Sequence, residues 1–117
     1  MGSGSGYLVA CFAEVLALAQ PASSSSRDGQ GRGKDLVIGI EHIQELADLG
    51  ASNMRKSERG RHLLEKGTVG FVKGDGRKGW KVDGGEENGE FWDVIHVGAA
   101  ASEIHPELVS QLRRPGR

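Results

Sequence analysis

The chain has 117 residues and a formal net charge of −1 at neutral pH. That length allows one small domain, and the near-zero charge gives no electrostatic case for nucleic acid or an anionic membrane surface. A single cysteine excludes an internal disulfide, while 37% hydrophobic residues and 19 glycines predict a thin core with many loops.

Behind Met1 stands Gly2-Ser3-Gly4-Ser5-Gly6. Alternating glycines leave the backbone bare, so positive φ costs little and a ligand can approach the main chain. The spacing is shorter than the G-x-G-x-x-G of dinucleotide folds and suits a ligand without a pyrophosphate, such as an adenosyl group carrying an amino acid. A flexible linker of the GSGSG kind is the plain alternative. Residues 7–19 are mostly apolar and predict a helix, with Glu14 on its wetter side and Cys11 as a small core residue. Ala17-Leu18-Ala19 before Gln20-Pro21 has the look of a signal-peptide cleavage site, but no Lys or Arg precedes the apolar stretch and Glu14 interrupts it. No stretch approaches the ~18–20 apolar residues of a membrane span.

Residues 20–34, rich in Pro, Ser, Gly and Arg, predict a poorly packed loop. Leu36-Val37-Ile38-Gly39-Ile40 is a continuous apolar run, the pattern of a strand buried on both faces. Residues 41–56 predict a helix with Ile43, Leu46, Ala47 and Met54 toward one side, and 61–66 a further helical turn. Residues 68–73 predict a second strand, 74–76 a turn, and 82–90 an acidic, Gly-rich loop. Residues 91–97 predict a third strand, and 106–112 a last helix with Pro106 near its first position. The order implies an α/β layered domain with a largely parallel sheet.

Ligands of open α/β sheets bind beyond the carboxyl ends of the strands. Glu41 follows the first predicted strand, where an acid accepts from ribose hydroxyls; it would equally complement a helix N-terminus. Asp75 follows the second, where a carboxylate can accept from an adenine amino group, although Asp-Gly is also an ordinary turn. The glycine run, Glu41 and Asp75 are therefore expected on one edge of the sheet.

These motifs, with Val37-Ile38-Gly39-Ile40-Glu41-His42, Gly74-Asp75-Gly76-Arg77-Lys78-Gly79 and Asp93-Val94-Ile95-His96-Val97-Gly98-Ala99-Ala100-Ala101, resemble the protein-L-isoaspartate O-methyltransferase family in joint order. The resemblance covers nearly all of the chain, with 20–34 and 82–90 as insertions. It implies a Rossmann-like class I methyltransferase core with S-adenosylmethionine as cofactor. Gly2, Ser3, Gly4 and Gly6 would meet its methionine part, Glu41 the ribose, His42 the adenosine, and Asp75 and Gly76 the adenine. Val97 and Gly98, after His96, would lie near the substrate channel. The implied substrates are proteins or peptides carrying isoaspartyl residues, and the implied location is the cytoplasm. No catalytic residue is carried over, and the spacing of His42, His96 and His105 predicts no metal site. Beside the family pattern the chain reads as one truncated domain, 1–117, whose sheet lacks strand one and the C-terminal strands. On that reading methyl transfer by the chain alone is expected to be negligible, and a non-catalytic fragment with at most weak cofactor binding is the alternative.

Overall fold

A computed structural model describes residues 1–19, 35–80, 92–101 and 103–113. The expected loops at 20–34 and 82–90 lie outside the described residues. In chain order the elements are α1 (Tyr7–Leu18), β1 (Val37–Glu41), α2 (Gln44–Arg55), α3 (Glu58–Glu65), β2 (Val69–Lys73), a 3₁₀ turn (Gly76–Lys78) and α4 (Pro106–Ser110). β1 and β2 pair in parallel, with Val37 opposite Val69 and Glu41 opposite Lys73. A parallel pair needs a crossover, and α2 and α3 supply it. The domain is α/β.

Local chemistry sets the crossover. The Ser57 hydroxyl accepts the Gly60 N–H at 2.9 Å and caps α3, so that helix starts three residues earlier than the sequence suggested. Its C-terminus closes in a Schellman motif: Gly67, at φ 68°, donates to the Leu64 carbonyl, and Thr68 donates to that of Leu63. α2 starts later than expected, at Gln44, because Glu41 still belongs to β1. The core is small. Val9 and Ala13 of α1, Met54 of α2, Leu63 of α3 and Val69 of β2 are buried together, with Phe71 packed against them. Cys11 is only half-buried, so it lies beside this core rather than in it.

Three glycines crowd the Phe71 ring. A Cβ added at Gly50 would stand 2.6 Å from Phe71 Cε1, one at Gly6 2.9 Å from Cζ, and one at Gly39 3.1 Å from Cδ1. The ring therefore fits only because α2, β1 and the glycine turn each offer it bare backbone.

The third expected strand does not form as a ladder. Trp92 makes one isolated parallel bridge with Leu112, and no further residue from 93 to 98 joins a strand. Its other backbone partner among the described residues is Met1: the Met1 amino group donates to the His96 carbonyl, and the Gly98 N–H donates to that of Met1 at 2.9 Å. An apolar run becomes a strand only where a neighbour offers successive donors and acceptors. Among the described residues none does. Between β1 and this segment lies a cavity of ≈ 560 Å³, lined in part by Phe12, Ile38, Ile40, Trp92 and Ile95. No helix among the described residues is long and apolar enough to cross a membrane.

The packing at Phe71 gives a direct test. Gly50→Ala should lower the urea midpoint of unfolding, with a net loss of about 1–2 kcal/mol, because overpacking outweighs the ~1 kcal/mol gain in helix propensity. An unchanged or raised midpoint would show that the ring can move aside.

Candidate functional site at the carboxyl edge of the sheet

The glycine turn sits against the end of β1. Gly2 and Ser3 both donate their N–H groups to the Ile40 carbonyl, at 2.9 and 3.2 Å. Gly2, Gly4 and Gly6 all have positive φ, and Gly6, at 81°, is the N-cap of α1. A side chain at Gly6 would be strained by its φ and would also strike Phe71 and Gly50. The first residues thus form a bare-backbone turn leading into a helix N-terminus. Ser3 faces the cavity, and its buried hydroxyl has no hydrogen-bond partner among the described residues.

Glu41 ends β1 and is only 5% exposed. Its Oε2 accepts the Gly4 N–H at 3.2 Å, and its Oε1 accepts the His42 N–H at 2.9 Å. The carboxylate therefore ties the glycine turn to the strand end. Burial pushes its pKa up, but the amides of Gly4, His42 and Ile43 and the His42 ring together outweigh this and hold it below 4.5. His42 Nδ1 lies 3.0 Å from Glu41 Oε1, while the ring itself is mostly in solvent.

Asp75 lies two residues beyond β2, on the same carboxyl edge as Glu41. Its Oδ1 caps the 3₁₀ turn by accepting the Arg77 N–H at 3.1 Å. The Arg77 guanidinium also grips both oxygens, Nε to Oδ1 at 2.9 Å and Nη2 to Oδ2 at 2.8 Å. These Arg77 hydrogen bonds are the main reason that the Asp75 pKa falls from 3.8 to about 2. The guanidinium was not singled out in the sequence; the Asp-x-Arg spacing was its only trace. Gly76 abuts Met1: a Cβ there would stand 2.7 Å from the Met1 Cβ.

The structure thus brings Gly2, Ser3, Gly4, Gly6, Glu41, His42, Asp75 and Gly76 to one end of the sheet. Val97 and Gly98 reach the same end through the Met1 contact. Val97 lines a smaller cavity of ≈ 380 Å³ with Met1, Ala101, Ile104 and Leu108. Each acid is paired with an exposed side chain, Asp75 with Arg77 and Glu41 with His42. Among the described residues, no group of three His, Cys, Asp or Glu could hold a metal ion.

A parallel β–crossover–β unit, with a glycine turn and an acid at its carboxyl edge, defines the Rossmann-like class of α/β nucleotide-binding cores. A family model described as protein-L-isoaspartate(D-aspartate) O-methyltransferase matches residues 1–117. Over its whole length the chain is 41% identical to Protein-L-isoaspartate O-methyltransferase 2 of Arabidopsis thaliana, covering 31% of that relative. It is 38% identical to the Protein-L-isoaspartate O-methyltransferase of Triticum aestivum, covering 41% of it, and 36% identical to that of Caenorhabditis elegans, covering 42%. The chain belongs to the protein-L-isoaspartate(D-aspartate) O-methyltransferase family. It spans about a third to two fifths of the length of these relatives.

Two titrations follow from the site. The Asp75 carboxyl, followed by ¹³C NMR, should titrate near 2, and Arg77→Ala should return it toward 3.8. A midpoint unmoved by that substitution would mean that the guanidinium does not hold the carboxylate. Glu41 has a folded pKa below its ordinary 4.5, so its stabilising effect is full above that pH and is lost as pH falls through the folded value. Glu41→Gln should therefore flatten the acid limb of a stability-against-pH curve; an acid limb of unchanged slope would count against this.

Proposed function

We propose that this chain carries the S-adenosylmethionine-binding core of a protein-L-isoaspartate O-methyltransferase acting in the cytoplasm on damaged proteins. The observation that carries this reading is the gathering of the glycine turn, Glu41 and Asp75 on one sheet edge, in a chain that matches the family from end to end. The donor set fits the cofactor. The bare turn at Gly2, Gly4 and Gly6 allows close approach of the methionine part, and the Ser3 hydroxyl, without a partner among the described residues, would gain one. Ionised Glu41 is an acceptor and suits ribose hydroxyls, with His42 moving off its oxygen. Asp75 and Gly76 suit the adenine edge, with Arg77 moving aside.

Bound S-adenosylmethionine supplies an electrophilic methyl group on a sulfonium. The carboxylate of an isoaspartyl residue is already a nucleophile at neutral pH, so this chain's residues need not move a proton. Their work is to align the two groups and to keep water out of the line of attack. Val97 borders the space where the peptide would approach, and Gly98 adjoins it through its bond to Met1. Alignment matters because a ~1 Å misplacement can cost on the order of a hundredfold in rate.

Calorimetry with S-adenosylhomocysteine tests the reading. The chain should bind it, and Glu41→Ala and Asp75→Ala should each weaken binding at least tenfold, about 1.4 kcal/mol. No binding, or binding indifferent to both substitutions, would overturn the cofactor site. Any methyl transfer above the negligible level expected of the chain alone should go to an isoaspartyl peptide and not to its aspartyl isomer; equal transfer to both would refute the substrate class.

A further inference from the structure

The loop that carries Asp75 and Gly76 is held at its far end by a residue distant in sequence. Gln111, at the C-terminus of α4, is 3% exposed. Its Nε2 donates to the Lys78 carbonyl at 2.8 Å, and its Oε1 accepts the Trp80 N–H at 3.0 Å. One amide thus pairs with the backbone on both sides of Gly79. Gly79 itself has φ 67°, and a Cβ there would collide with the Gln111 amide. The main chain of Gln111 is fixed in turn: its carbonyl accepts the Trp92 N–H at 3.0 Å, and Trp92 Nε1 donates to the Trp80 carbonyl at 3.0 Å.

The loop after β2 therefore has two anchors. At its start, the Asp75 carboxylate caps the 3₁₀ turn. At its end, Gln111 satisfies the two backbone groups that flank Gly79. Between them lies Gly76, whose backbone would face an adenine. A neutral primary amide suits the second anchor because it offers one donor and one acceptor side by side. A carboxylate in its place would face the Lys78 carbonyl with no hydrogen to give. A leucine would leave both of these part-buried backbone groups without the Gln111 amide.

We propose that Gln111 is the positioning residue for the adenosyl-binding loop, acting through the Lys78 and Trp80 backbone and without touching the ligand. The proposal rests on the functional reading given above and adds a residue to it. Gln111→Glu provides a test with an internal control. Burial raises a carboxyl pKa. Once protonated, the introduced carboxyl can donate its O–H to Lys78 and accept from Trp80, restoring both bonds. Glu41 and Asp75, both lowered, remain ionised across pH 5–8.

The measurements are S-adenosylhomocysteine affinity by calorimetry and amide hydrogen exchange, on the wild-type chain and the variant, at pH 8 and pH 5. At pH 8 the variant should bind about tenfold more weakly and its Trp80 amide should exchange at least tenfold faster, with the Gly39 and Ile40 amides of β1 unchanged. At pH 5 both differences should shrink toward zero. Faster Trp80 exchange with undiminished affinity would overturn the proposal, as would weaker affinity that does not recover at pH 5. If β1 exchange also rises, the milder Gln111→Asn decides: wild-type affinity in that variant overturns the proposal, and lost affinity with intact β1 protection supports it. Should the wild-type chain bind no ligand, the functional reading fails, and the proposal fails with it, while protection of Trp80 still reports whether Gln111 anchors the loop.

Discussion

The Phe71 ring and the three glycines around it hold this small structure in register. Gly50 belongs to α2, Gly39 to β1 and Gly6 to the turn that opens α1, and Phe71 reaches them all from β2. A ring is stiff and large, and bare backbone is the only surface that can approach it from three sides at once. The contact has a functional consequence. The glycine turn is located by steric fit as much as by hydrogen bonds, so its position relative to β1 is fixed before any ligand arrives. Preorganisation of this kind spares a ligand the cost of ordering the loop it binds.

Hydrogen bonds then complete what packing begins. The Ile40 carbonyl takes two amides of the turn, and Glu41 takes a third through its side chain. Glu41 is thus both a structural tie and a candidate ribose acceptor, two roles served by one property: an ionised carboxylate has acceptor capacity for several donors. Arg77 plays the corresponding part for Asp75, filling its oxygens from the solvent side. The carboxylate oxygens at this edge are consequently already matched to donors, and few of the groups described there are idle. The exception is the Ser3 hydroxyl, buried and unpartnered among the described residues.

A two-stranded parallel pair is a slender base for such a site. By the alternation of a parallel ladder, Ile40 turns its carbonyl away from β2, and it is there that the chain's first residues attach. Met1 continues outward to His96 and Gly98, so the residues Met1 to Ser3 bridge β1 to the segment that the sequence marked as a third strand. α4 secures the other end of that segment through Trp92 and Gln111. The site's two halves are joined by these few bonds and by the apolar walls of the cavity between them.

Much of this was legible in the sequence. Apolar runs marked β1 and β2, and glycine-acid spacings marked Gly2 to Gly6, Glu41 and Asp75, because period and turn chemistry are local properties. Their order sufficed for the family resemblance. Other features depended on partners distant in the chain. Residues 91–97 have a strand's composition, yet strandness requires a neighbour, and sequence does not show whether one stands there. The start of α2 shifted because the Glu41 backbone pairs with Lys73 of β2, thirty-two positions away. Nothing local distinguishes Gln111 from any polar residue near a helix end; its burial and its grip on Lys78 and Trp80 exist only once α4 is docked. Gly50 likewise looks like a weak point in a helix until Phe71 is placed against it. The sequence by itself determined which segments could be helix or strand and which residues were candidates for the chemistry. The tertiary structure decided which groups meet, because hydrogen bonding and close packing join atoms that covalent order leaves far apart.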